Sequence, residues 1–230
     1  MREAPALSGS RAALVRVSAS IASRNRASRD AALRMAMTAA DGFEVDEVIL
    51  QSHLFVGFPD ALEAMVRWRE LGGSGTPDPY PEASELWRSR GERVCSDVYG
   101  ANYEKLRRNV VSLHPDLDRW MVEGGYGRVI GRPGLDLATR ELCIAALLAV
   151  WGAPRQLHSH LRGALNAGAS PDEVQESVEI ACEMAEEDVG AVARDLLARI
   201  VAGTKDRTIG IAASYPTPAE PAHVEMPERR

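Results

Sequence analysis

The sequence predicts an all-α protein, and three observations carry that expectation. Alanine and leucine dominate a chain of 230 residues in which hydrophobic residues reach 45% but aromatic ones only 5%. Val/Ile/Thr runs with strict alternation, the mark of half-buried strands, are missing. Apolar residues instead recur at helical spacing between breaks that contain glycine and proline. A chain of this length can bury a substantial core.

The first half reads as four helices. Leu14, Val17 and Ile21 space out a helix over 11–23. Ser28 opens a second, which Asp41-Gly42 stops. A third covers 44–56 and breaks at Gly57-Phe58-Pro59, because proline cannot continue the hydrogen-bond ladder. The fourth starts at Pro59 and carries Leu62, Met65, Val66 and Trp68 as its apolar stripe. The stretch GGSGTPDPYP, 72–81, has three glycines and three prolines and reads as a linker.

The second half opens with helices over 82–98 and 101–111. His114-Pro115-Asp116 starts another, with Leu117, Trp120 and Met121 on one face, ending at Gly124-Gly125. The glycine-rich segment 126–136 reads as a structured loop, with Asp136 capping a helix over 137–151. After Gly152-Ala153-Pro154 a helix covers 155–167. Ser170-Pro171-Asp172-Glu173 is a strong helix start, and a last helix covers 189–201. The tail from 203 is rich in proline and reads as disorder or an arm lying on a neighbour.

An internal repeat is visible at an offset of 126 residues. It relates Asp46-Glu47-Val48 to Asp172-Glu173-Val174, and Gly42 to Gly168. The expected organisation is two tandem repeats of antiparallel helices: 9–71, a linker over 72–81, 82–202, and a tail over 203–230.

Composition excludes several functions. The net charge is −6 and the arginines are scattered among glutamates, so a basic stripe for nucleic acid is absent. The longest uncharged apolar run, 142–154, is shorter than the roughly 20 residues of a membrane span. Cys95, Cys143 and Cys182 form no CxxC and no disulfide framework, and an odd number of thiols suits a reducing, cytoplasmic setting. Nothing in the residues calls for a metal or cofactor. The expected partners are a small-molecule substrate and further copies of the chain.

The chemistry concentrates in 131–171, GRPGLDLATRELCIAALLAVWGAPRQLHSHLRGALNAGASP. The helix after Glu141 is apolar around its whole circumference, which demands burial on all sides. Glu141 lies eleven residues before Gly152 and His160 eight after it. At about 1.5 Å per residue they stand roughly 16 and 12 Å from the turn, close enough to meet across a hairpin. A Glu–His pair is a common kit for general acid/base catalysis. His158 and His160 flank the core stripe of their helix, and their i,i+2 spacing cannot make a two-histidine metal face.

The segments GRVIGRPGLD and TRELCIAALLAVWGAPRQLHSHLRGALNAGASPDEV resemble the carboxymuconolactone decarboxylase family and its alkylhydroperoxidase D-like (AhpD-like) relatives. EVILQSHLFVGFPDALEAM resembles the family's other helix pair. The resemblance implies an all-helical bundle assembling as trimers or hexamers, with sites near subunit interfaces. In the hydroperoxidase branch a glutamate, a CxxC pair and a histidine form a proton relay. Glu141 and His160 match the glutamate and histidine, but Ala153 and Gln156 occupy the cysteine positions. Disulfide-based peroxide reduction then lacks its nucleophile. The decarboxylase branch also lacks CxxC, and its histidine matches His160. That branch implies loss of CO2 from a lactone acid, with Arg132, Arg140 and Arg162 as candidates for binding carboxylates. Tyr126 and Trp120 are candidates for the pocket wall, and Tyr126 and His158 also for contact with the substrate.

The leading expectation is acid/base chemistry by His160 with Glu141 on a small oxygenated acid or lactone. The alternatives are a thiol-dependent peroxidase, disfavoured by the missing CxxC, and a non-catalytic scaffold. In the first repeat Val15 and Arg34 align with Glu141 and His160, so that half reads as lacking the site. His53 is the one polar group there to watch, and reads as structural.

Overall fold

A computed structural model of the chain describes residues 5–75 and 84–203. Most of the linker 72–81, and the tail beyond 203, lie outside the described residues. The described residues form helices and no strand.

Helix α1 (Gly9–Ser23) is capped by the Ser8 side chain and α2 (Arg26–Ala39) by Asn25. Helix α3 (Gly42–Glu70), capped by Asp41, is kinked at Gly57, whose φ of 80° leaves the helical region. Then come α4 (Glu85–Tyr99), α5 (Tyr103–Leu113) and the short α6 (Pro115–Trp120). Helix α7 (Leu137–Trp151) is capped by Asp136, and α8 (Pro154–Asn166) returns after a left-handed Gly152. Ser170 and Glu173 make a reciprocal capping box at the start of α9 (Pro171–Cys182), and α10 (Glu187–Val201) closes the described chain.

Helix α7 is the centre. All its residues from Ala138 to Ala149 are buried, as an all-round apolar helix requires. It packs on α1, α8 and α9, with α3 and α10 also touching it. Helix α1 is nearly as buried, and the Ser18 hydroxyl donates to the Cys143 carbonyl across the interface, 2.7 Å. Apolar side chains from both halves of the chain share one core. A shift of 126 residues brings the ranges of α1 and α2 onto α7 and α8. The same shift brings the two arms of α3 onto α9 and α10, all to within five residues.

Two local expectations are corrected. The segment over 126–130 is not loop: α6 runs on into ten residues of π-helix, Met121–Ile130, and only 131–136 is irregular. The wider π turn accommodates Gly124, Gly125 and Gly127, and such turns cluster at functional sites. Its backbone lies directly on α4, since a Cβ on Gly91 would overlap the Val122 carbonyl and one on Gly127 the Trp87 carbonyl. The second arm of α3 buries Ala61, Ala64 and Trp68, leaving Leu62 59% exposed and Val66 equally outside. Trp68 Nε1 donates to the buried Asp46, which Arg69 also holds, and this fixes the arm's rotation.

Candidate functional site

Glu141 sits in the second turn of α7 and is 0% exposed; His160 sits in the second turn of α8 and is 4% exposed. The hairpin at Gly152 sets the two helices side by side, and His160 Nδ1 meets Glu141 Oε2 at 2.7 Å. Gly163, one turn beyond His160, makes room for this pair. A Cβ there would stand 2.5 Å from Glu141 Oε2 and 2.8 Å from Val98 Cγ1. The second carboxylate oxygen, Glu141 Oε1, is buried without a hydrogen-bond partner. Most buried polar atoms are paired, so such an oxygen asks for an explanation.

His160 lines a cavity of about 410 Å³. Phe55 from α3 meets the imidazole edge-on, centroids 5.6 Å apart, and fixes its plane. Leu54 completes that wall, while Leu106 and Val110 of α5 form another. Leu117, Trp120 and Met121 form the mouth, and Trp120 is 61% exposed there. Polar groups enter from Tyr99, Tyr126 and Gln156. Tyr126 O–H donates to the Tyr99 hydroxyl at 3.2 Å. Burial, reinforced by Tyr99, Cys95 and Glu141, pushes the Tyr126 hydroxyl well above its ordinary pKa, so it remains a neutral donor.

The arginines expected to hold carboxylates are placed elsewhere. Arg140 is completely buried and pairs with Glu47 Oε2 of α3 at 2.8 Å. Its other contacts are Gln51 and the carbonyls of Arg132 and Pro133. Burial lowers the Arg140 pKa, against which the hydrogen bond it donates to Glu47 works. Arg132 grips the same carboxylate, 2.9 Å. Both arginines thus clamp α7 and its leading loop to α3, and neither lines the cavity. Arg162 is on the exposed face of α8. His158 is buried but outside the cavity lining. His53 bonds its own helix at the Leu50 carbonyl and stacks on Phe58, away from the cavity.

The thiols fit packing. Burial raises the Cys95 and Cys143 thiols far above their ordinary pKa, and Cys182 moves the same way. Of the positions matching the hydroperoxidase cysteines, Gln156 lines the cavity one turn before His160. Among the described residues no cluster of His, Cys, Asp or Glu is arranged to hold a metal. No described helix is long and apolar enough to cross a membrane.

Comparison with known proteins bears on this hairpin. A profile of the carboxymuconolactone decarboxylase family matches residues 115–198, which hold Tyr126, Glu141, Gln156 and His160. The 4-carboxymuconolactone decarboxylase of Acinetobacter baylyi is 30% identical over 90 residues, 39% of this chain and 67% of that protein. The chain belongs to the carboxymuconolactone decarboxylase family. Peroxisomal protein 2 of Schizosaccharomyces pombe is 30% identical over 152 residues, 61% of this chain and 68% of that protein. Nitrosuccinic acid decarboxylase npaB of Metarhizium robertsii is 35% identical over 89 residues, 38% of this chain and 62% of its own length.

Of the residues that shape this family member's site, the sequence passes over Phe55, Tyr99, Gly163 and Glu47. Gln156 was legible as a neighbour of His160 on one helix face, four residues apart. Tyr99 and Phe55 come from elements 61 and 105 residues away from His160, and no local pattern announces them.

Proposed function

We propose that the protein is a lyase-type enzyme acting on an oxygenated acid or lactone by chemistry that acid/base groups alone perform. The buried 2.7 Å contact between His160 Nδ1 and Glu141 Oε2, at the edge of a cavity, carries the reading. With Nδ1 held by the carboxylate, Nε2 is the ring atom left to exchange a proton with an occupant. Loss of CO2 from a carboxylate leaves its bonding electron pair on carbon, as an enolate-like anion. Protonated His160 delivers H⁺ to that carbon, Glu141 stabilises the imidazolium beforehand, and solvent returns the proton afterwards. The decarboxylase names of two relatives support the reaction class. CO2 release from a panel of lactone acids and β-keto acids, with wild type against His160→Gln, tests it. A variant that turns over as fast as wild type would sink the assignment.

Residues 9–71 are, in this reading, a degenerate copy of the family unit and 82–202 a complete one, which the shared helix order supports. Val15 is buried and Arg34 exposed where the complete copy has Glu141 and His160. The protein assembles as a trimer or hexamer of identical chains. The exposed stripe of Phe58, Leu62 and Val66 on the second arm of α3 supports a covered face. Light scattering of Leu62→Glu against wild type tests the stripe; an unchanged mass removes it from the interface. The thiols support a reducing compartment, the cytoplasm in our reading, with the peroxisome favoured instead by the name of one relative.

A further inference from the structure

The charge inventory of the cavity is one-sided. Its described walls carry four polar side chains, Tyr99, Tyr126, Gln156 and His160, and no arginine or lysine. Arg132 and Arg140 are both engaged with Glu47, and neither lines the cavity. Behind His160, outside the lining, lies the fully buried carboxylate of Glu141, with Oε1 unpartnered. Among the described lining residues His160 is therefore the one group able to carry positive charge. The remaining wall is aliphatic and aromatic, with Leu54, Phe55, Leu106 and Val110 opposite the mouth residues.

We infer that the cavity takes an apolar-bodied molecule with a single polar or anionic head, and rejects a second carboxylate. The inference rests on the acid/base reading only in placing that head at His160. The head lies within reach of the imidazole and of the Gln156 amide, which share one face of α8. The body fills the apolar wall and ends at Trp120. A second carboxylate has two places to go, both unfavourable. Against the leucines and Phe55 it is desolvated without a partner, and close to His160 it adds a second anion in front of the buried Glu141 carboxylate.

Isothermal titration calorimetry of the full chain with octanoate, its methyl ketone counterpart and octanedioate tests this. Octanoate and the ketone bind, and octanedioate binds about 100-fold more weakly or worse, the cost of an unpaired buried charge. Gln156→Arg, which supplies the missing cation, narrows that gap by about tenfold. Octanedioate binding as tightly as octanoate overturns the inference, and so does failure of octanoate and the ketone to bind at all. The outcomes separate from those of the acid/base reading. Selective octanoate binding with turnover indifferent to His160→Gln leaves this inference standing and removes the other. Tight octanedioate binding with turnover that requires His160 does the reverse.

Discussion

The space where Gly163 lacks a side chain is occupied by the carboxylate of Glu141. A Cβ at 163 would lie 2.5 Å from Oε2, the oxygen that also holds His160. The glycine on α8 and the glutamate on α7 are thus one fitted pair, and the histidine's geometry depends on both. Gly163→Ala forces the carboxylate aside in a closed core. We expect a loss of about 1–3 kcal/mol in denaturant unfolding, typical of overpacking, together with reduced turnover. Substrate KM should change less than kcat, because the cavity wall itself is intact.

Glu141→Gln separates stability from chemistry. The carboxylate is fully buried with one oxygen unpartnered, an arrangement that costs stability. A neutral amide of the same shape removes the buried charge. Thermal unfolding should show the variant as stable as wild type or up to about 1 kcal/mol more stable. Turnover should fall by about 10²–10⁴-fold, the usual contribution of acid/base catalysis. A variant both less stable and fully active would mark Glu141 as a structural residue.

Glu47→Gln breaks the clamp on Arg140. Both side chains are buried, Arg140 at 0% exposure and Glu47 nearly so, and Arg132 shares the carboxylate. Removing one member of a buried pair leaves the other charge uncompensated, so unfolding should be easier by about 3–5 kcal/mol. Arg132→Ala should cost much less, since its side chain is partly exposed and Arg140 still neutralises Glu47. Urea midpoints of the two variants decide between this clamp and the substrate-binding role expected from the sequence.

Asp136 links the cap of α7 to pH. Burial alone would raise its carboxyl, but the Thr139 hydroxyl and amide, with Arg11 nearby, override that and hold it below the ordinary range. A depressed folded-state pKa means stability present above the unfolded value of about 3.9 and lost as pH falls through the folded one. Asp136→Ala should therefore cost about 1 kcal/mol at neutral pH, a typical cap loss, and progressively less as the solution is acidified. A constant difference down to strong acid would show the carboxylate charge to be irrelevant. The side chain is more than half exposed, so salt should weaken the effect.

Local order and spacing were legible in the chain. Helix starts at Asp136 and Ser170 rest on caps within three residues of themselves, and the break at Gly57-Phe58-Pro59 on backbone geometry. The meeting of Glu141 with His160 follows from counting residues to Gly152 on either side. The extension of helix through Tyr126 was not legible. Its glycines read locally as breakers, and only backbone packing of Gly127 against Trp87 and of Gly91 against Val122 makes the π turn favourable.

By itself the sequence determined the all-α class, the hairpin and the family, because caps, periodicity and a contiguous motif act over short separations. Tertiary structure decided what surrounds the histidine. Arg140 is next to Glu141 in sequence and Arg132 precedes it in the same segment, yet both answer to Glu47, 93 and 85 residues away. Phe55 and Tyr99 reach the cavity from other helices. A buried charge takes its partner from whichever element packs against it, and that packing is a property of the whole core.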